Sequence, residues 1–185
     1  LKIALYGSDS YANELLEKVS KTIKEQYNVF GSYPQFSDNT YQFILSYQPY
    51  NENSMIEHKS SSLLLSNKTV SDITPVKVIE AMSTLFAKTW NKTRITPISL
   101  KPFNLQENVL TREYWFADGF SNYYALLSMV RAGIITEDKF LEKISYIVNN
   151  VIKSSALKYN NALEMSKYSI FYAGNNSQQT ALNAA

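Results

Sequence analysis

Apolar and polar positions alternate from Leu1 to Tyr6, a period of two that predicts a short strand. Gly7, Ser8, Asp9 and Ser10 read as a turn able to cap a helix. Across residues 11–27 the period becomes helical. Ala12, Leu15, Leu16, Val19, Ile23 and Tyr27 share one face, and the pairs Glu14/Lys18 and Glu17/Lys21 lie four apart outside it. Residues 31–39 form a loop. The aromatic and β-branched run of residues 41–47 predicts a strand, residues 51–54 a turn, and residues 61–65 another strand. Thereafter the pattern is helical. Thr74 caps a helix that opens on Pro75 and buries Ile79, Met82, Phe86 and Trp90. A connector over residues 94–109 holds Pro97 and Pro102. Phe116, Phe120, Tyr123, Leu127 and Val130 mark the buried stripe of the next helix, which Gly133 ends. Thr136, Glu137 and Asp138 start another, with Phe140, Ile144, Val148 and Val151 inside, and a last helix covers residues 161–172. Strands come first and helices after, without an internal repeat, which defines an α+β class.

Composition narrows this picture. The chain has 185 residues, 45% hydrophobic and 18% charged, the profile of a globular protein with one sizeable core. We divide it into a single domain at residues 1–173 and a polar tail at 174–185. The net charge of +2, with acids and lysines interspersed, leaves no electrostatic footprint for nucleic acid. No apolar run reaches the roughly 20 residues needed to insert across a bilayer. With no cysteine, disulfides, thiolate catalysis and Cys-type zinc sites are excluded. The beginning, Leu1-Lys2-Ile3, has neither Met nor a signal-type segment and reads as the start of an excised segment.

Three stretches carry a resemblance. Ser54-Met55-Ile56-Glu57-His58 is similar to a substrate-side G-G-L-E-H motif. Thr84-Leu85-Phe86-Ala87-Lys88 with Thr89-Trp90-Asn91 stands where H-E-x-x-H followed by x-W-N would be. Residues 115–124, from Trp115-Phe116-Ala117-Asp118-Gly119 to Tyr124, are similar to W-F-x-E-G-F-T-x-Y-Y. Arg94, Pro97, Pro102, Phe103 and Thr111 resemble the connector of the same family, and Arg131-Ala132-Gly133 its R-A-G. In this order they resemble the glycyl aminopeptidase family of gluzincin metallopeptidases, peptidase family sixty-one, over residues 30–172. The resemblance implies a thermolysin-like half-domain, a twisted sheet packed on the helices that carry the site, with flanking domains and the family's transition-state tyrosine outside this segment. Many members are secreted or envelope proteins, and the resemblance leans the chain that way.

The resemblance also implies what has changed. In H-E-x-x-H, two residues four apart share a helix face, so two imidazoles reach one metal ion. A catalytic zinc needs about three protein ligands and an open position for water, and the Glu takes that water's proton. Here Thr84 and Lys88 hold the histidine positions, Leu85 the base position, and Asp118 that of the third ligand. A neutral hydroxyl is a very poor zinc ligand, an ammonium repels the ion, and Leu85 carries no proton. The one histidine, His58, belongs to a different motif. The expectation is therefore no cofactor, no catalytic residues, and a non-catalytic homologue of a zinc aminopeptidase that binds peptide or protein in the old cleft. The competing readings are a structural module without cleft use, and an active aminopeptidase whose site is completed outside this segment.

Particular residues sharpen these readings. Glu57 and His58 resemble the pair beside the substrate-receiving edge strand, where Glu meets a peptide's α-amino group; the plainer reading is a solvated turn acid and a partly exposed histidine. Ser54 and Met55 replace glycines and would crowd a backbone approach. Lys88 would replace zinc as the local positive charge and pair with Asp118, since a lone buried charge is costly; otherwise both face solvent. The spacing of Trp90, Trp115, Phe116, Phe120, Tyr123 and Tyr124 predicts core packing rather than a ligand cluster. Gly119 inside its helix marks close packing or room kept for a cavity. Arg94 is expected to brace the connector, a carboxylate being one partner it could use, rather than to bind substrate.

Overall fold

In the computed structural model the described residues are 1–6, 12–36, 38–68, 73–91, 93–102, 106, 109–158 and 160–167. The turn expected at residues 7–10, Phe103, the end of the last helix and the polar tail lie outside them. The strands are β1 (Lys2–Tyr6), β2 (Gln42–Tyr47), β3 (Ser54–Glu57) and β4 (Ser61–Ser66). The helices are α1 (Ala12–Phe30), α2 (Pro75–Asn91), α3 (Tyr114–Arg131), α4 (Glu137–Lys153) and α5 (Ala162–Lys167). The class is α+β, as expected.

The sheet runs β1-β2-β4-β3. β1, β2 and β4 are parallel, with Ile3 opposite Phe43 and Phe43 opposite Ser62. β3 is antiparallel to β4 and closes the edge, with Ser54 opposite Leu65 and Glu57 opposite Ser62. Alternation along β2 turns Phe43, Leu45 and Tyr47 to one buried face. That face packs on Leu15, Val19 and Ile23 of α1 and on Val78, Ile79, Met82, Leu85, Phe86 and Trp90 of α2. Each large side chain so buried stabilises the fold by roughly 1.5–3 kcal/mol.

Four expectations change. The strand β3 begins at Ser54, the last residue of the expected turn; β4 imposes the extended state on a segment that shows no alternation of its own. On α1, Leu16 and Tyr27 are exposed while Thr22 and Gln26 are buried. The cause is a polar seam through three helices. Gln26 Nε2 donates to the backbone oxygen and to Oγ of Ser83, each at 2.9 Å, and Ser83 Oγ lies 3.2 Å from the Ala125 oxygen as its donor.

On α3 the expected stripe is displaced. Ala117, Ser121, Ala125, Leu126, Ser128 and Met129 are buried, whereas Phe120 and Tyr123 are 37% and 45% exposed. Small residues let α2 and α3 approach closely, and the hydroxyls of Ser121 and Ser128 are satisfied by Ala117 and Tyr124 carbonyls at 2.6 Å each. Trp115, Phe116 and Tyr124 are half-buried, so of the six aromatic positions expected in the core only Trp90 is fully there. On α4, capped as expected by Thr136 accepting from Lys139 N–H, no residue is fully buried and Val148 is 47% exposed. This helix meets the rest through one flank, including the Tyr123–Phe140 ring contact and the Lys143–Glu80 ion pair at 2.8 Å. Among the described residues, no helix is long and apolar enough to cross a membrane.

Candidate functional site

Thr84, Leu85 and Lys88 lie in the second half of α2, and Asp118 in the second turn of α3. The two helices are held side by side by Ser83 against Ala125 and by Asn91 Nδ2, 3.5 Å from Ser121 Oγ. This packing brings Lys88 Nζ to 3.0 Å from Asp118 Oδ1, with the side chains 18% and 41% exposed. Asp118 Oδ1 is buried and receives no well-directed hydrogen bond among the described residues. The contact is thus a charge-to-charge approach whose direction departs from hydrogen-bond geometry. Thr84, one turn before Lys88 on the same face, is half-buried. Leu85 is 1% exposed and belongs to the hydrophobic core.

Glu57 ends the edge strand β3 and is half-buried. His58 is exposed, and its backbone N–H donates to the Ser61 oxygen at 2.8 Å, closing the turn into β4. At the other end of β3, Ser54 and Met55 border a cavity of about 290 Å³ whose floor includes Val78 and Ala81 of α2.

Two features were not legible in the sequence. Tyr41 is buried, and its phenol forms a short hydrogen bond with Ser62 Oγ. Burial pushes its pKa up from 10.0 to about 12; the Ser62 bond and the Arg94 charge oppose the rise, and the Glu57 charge adds to it. A phenol whose folded pKa exceeds its unfolded value contributes stability that is complete below pH 10.0 and is lost as pH climbs toward about 12. Thermal melts across that window should show Tm falling, and the fall should be smaller in Tyr41→Phe. An equal fall in both proteins would remove Tyr41 from the account.

The second feature is Arg94. What the sequence does not show is its set of partners: it ties the end of α2 to the α1–β2 loop through carbonyls rather than bracing the connector through a carboxylate. Nη1 donates to the Thr89 oxygen at 2.7 Å and to Thr93 Oγ1 at 3.2 Å, and Nη2 donates to the Gln35 oxygen. The guanidinium also lies over the Phe36 ring, 5.1 Å from its centroid. Trp90 stacks on Phe30 at 4.5 Å, which fixes the neighbouring end of α2.

Helix α2 thus lies against the antiparallel edge strand of a mixed sheet and against α3, with Lys88 and Asp118 facing each other between the two helices. The fold superposes with a TM-score of 0.77 on the crystal structure of an aminopeptidase N family protein from Idiomarina loihiensis, at 20% sequence identity. The match covers 97% of this chain and 33% of that one, so the chain spans about a third of that protein's length. The sequence model of the M61 glycyl aminopeptidases matches residues 77–184, and the chain belongs to that family. No curated protein matches it by sequence.

Proposed function

We propose that this domain is a non-catalytic member of its family that keeps the old cleft for binding a peptide or protein. The observation that carries the reading is the Lys88 ammonium at 3.0 Å from the Asp118 carboxylate. These two positions correspond, by the resemblance, to an imidazole and a carboxylate that would hold zinc. With the ammonium there, the carboxylate already has a counter-charge, and a dication approaching it meets a like charge.

The remaining residues do not fit the ion either. Thr84 offers a neutral hydroxyl, and Leu85 lies in the core without a proton to exchange. The chain's one imidazole, on His58, sits on the turn after β3. Among the described residues no three His, Cys, Asp or Glu side chains gather as ligands. A zinc site normally takes about three such groups. No hydrolytic step follows from this set.

Binding remains within its means. Among the described residues β3 is an edge strand, and its outer side offers its backbone to an added strand, the mode in which main-chain bonds give affinity and flanking pockets give selectivity. Glu57 at its end would meet the ammonium of a peptide's first residue. The test pairs two measurements on the full-length protein in zinc-supplemented buffer. Glycyl and alanyl p-nitroanilides should not be hydrolysed above background. A fluorescent peptide with a free amino end should bind, and Glu57→Gln should weaken it about tenfold, the scale of one charge-assisted contact. Turnover abolished by a chelator would favour an enzyme completed from outside this segment. Absence of peptide binding would favour a structural module.

A further inference from the structure

A second cavity, of about 530 Å³, lies beneath the loop that links α1 to β2. Its walls include Tyr33, Gln35 and Phe36 of that loop, Lys59 of the β3–β4 turn, Trp90 of α2, and Arg94 just beyond it. Neither Lys88 nor Asp118 borders it; Trp90 stands two positions after Lys88, on another side of α2. Both charged residues on its walls are cations, and no acid is among them.

Arg94 makes this cavity more than a basic dent. Its guanidinium is partly withdrawn from water, and its described partners are two carbonyls, a hydroxyl and a ring face. Among the described residues no carboxylate forms an ion pair with it. A partly buried cation held by neutral groups alone lacks the counter-charge that makes such burial favourable. Burial accordingly lowers its pKa from the ordinary arginine value. Three of its five N–H donors are used in these bonds. Lys59 places a second positive charge on the same walls, while Tyr33, Phe36 and Trp90 supply flat apolar surface. An anion fits the charges, and an aromatic body fits the walls.

We propose that this cavity is a binding site for an aromatic carboxylate, whether a small acid or the carboxyl end of a peptide that finishes in an aromatic residue. Arg94 and Lys59 hold the carboxylate, and the rings of Tyr33, Phe36 and Trp90 hold the aromatic body. The site is distinct from the cleft between β3 and α2, and does not rest on the reading given for that cleft.

Tryptophan fluorescence reads it directly. The chain has two tryptophans, so Trp115→Phe leaves Trp90, on the cavity wall, as the reporter. N-acetylphenylalanine should give a saturable change, and N-acetylphenylalanine amide should bind about tenfold more weakly or not at all. Lys59 is exposed, so Lys59→Glu should weaken the acid by about tenfold without shifting Tm, and Lys59→Arg should retain it. Tighter binding of glycyl-glycyl-phenylalanine than of the small acid would assign the site to peptide ends; the reverse would assign it to a free acid. Equal binding of acid and amide, indifference to Lys59→Glu, or no saturable response to any carboxylate would each overturn the proposal.

Discussion

Replacing Phe86 with Ala should lower the unfolding free energy by about 3–5 kcal/mol. The ring is 2% exposed and sits where the sheet, the α1–β2 loop and α2 converge. It meets Tyr41 at 4.8 Å, Trp90 at 5.2 Å, Phe36 at 6.0 Å and Phe43 at 6.5 Å between centroids. Those neighbours belong to different segments and are held by their own contacts, so they would close poorly over the cavity left behind. Chemical denaturation with an unchanged m value is the measurement. A loss below about 1 kcal/mol would mean that the core is loosely packed at this point.

The second large effect is a gain. Changing Thr84 and Lys88 together to His should create a zinc site with Asp118, tighter than any the unaltered chain offers at these positions. The two positions are four apart on one helix face, and Lys88 already reaches the third position, so the backbone separation suits ligands that converge. Affinity in a zinc titration should rise by at least about a thousandfold over the unaltered chain, since the substitution adds two ligands and removes a repelling cation. The double variant should bind the metal without hydrolysing peptide substrates, because Leu85, buried in the core, offers no base. If the variant folds and still takes no zinc, the face of α2 is not the metal-binding face inferred for it.

The parts of this fold that were legible are those whose burial is apolar. β2 and α2 show it: Phe43, Leu45, Ile79, Met82 and Phe86 are all buried, and their spacing gave both elements. The orientation of α3 is not legible, because its buried face is mostly Ala and Ser with only Leu126 and Met129 as large apolar residues, and its serine hydroxyls pair with the helix's own carbonyls. Such a face has a weak hydrophobic period, and the aromatic residues that do repeat lie at its rim. α4 has a clear apolar face, but periodicity states only that a face exists, not that this chain covers it.

Legibility of the site follows the same division. The approach of Lys88 to Asp118 was foreseeable, because the resemblance put both at positions that converge in related proteins. A brace through a carboxylate is the natural expectation for Arg94, but one of its two carbonyl partners lies 59 positions away in a loop without periodicity. The cavity under that loop depends on Lys59, Trp90 and Arg94 meeting from separate segments, and no local pattern announces such a meeting.

The most direct measurement is the zinc content of the purified full-length protein after equilibration with excess zinc and gel filtration. An ammonium seated beside Asp118 predicts well under about one-tenth of an ion per chain. About one firmly held ion per chain, lost when Asp118 is changed to Ala, would contradict it.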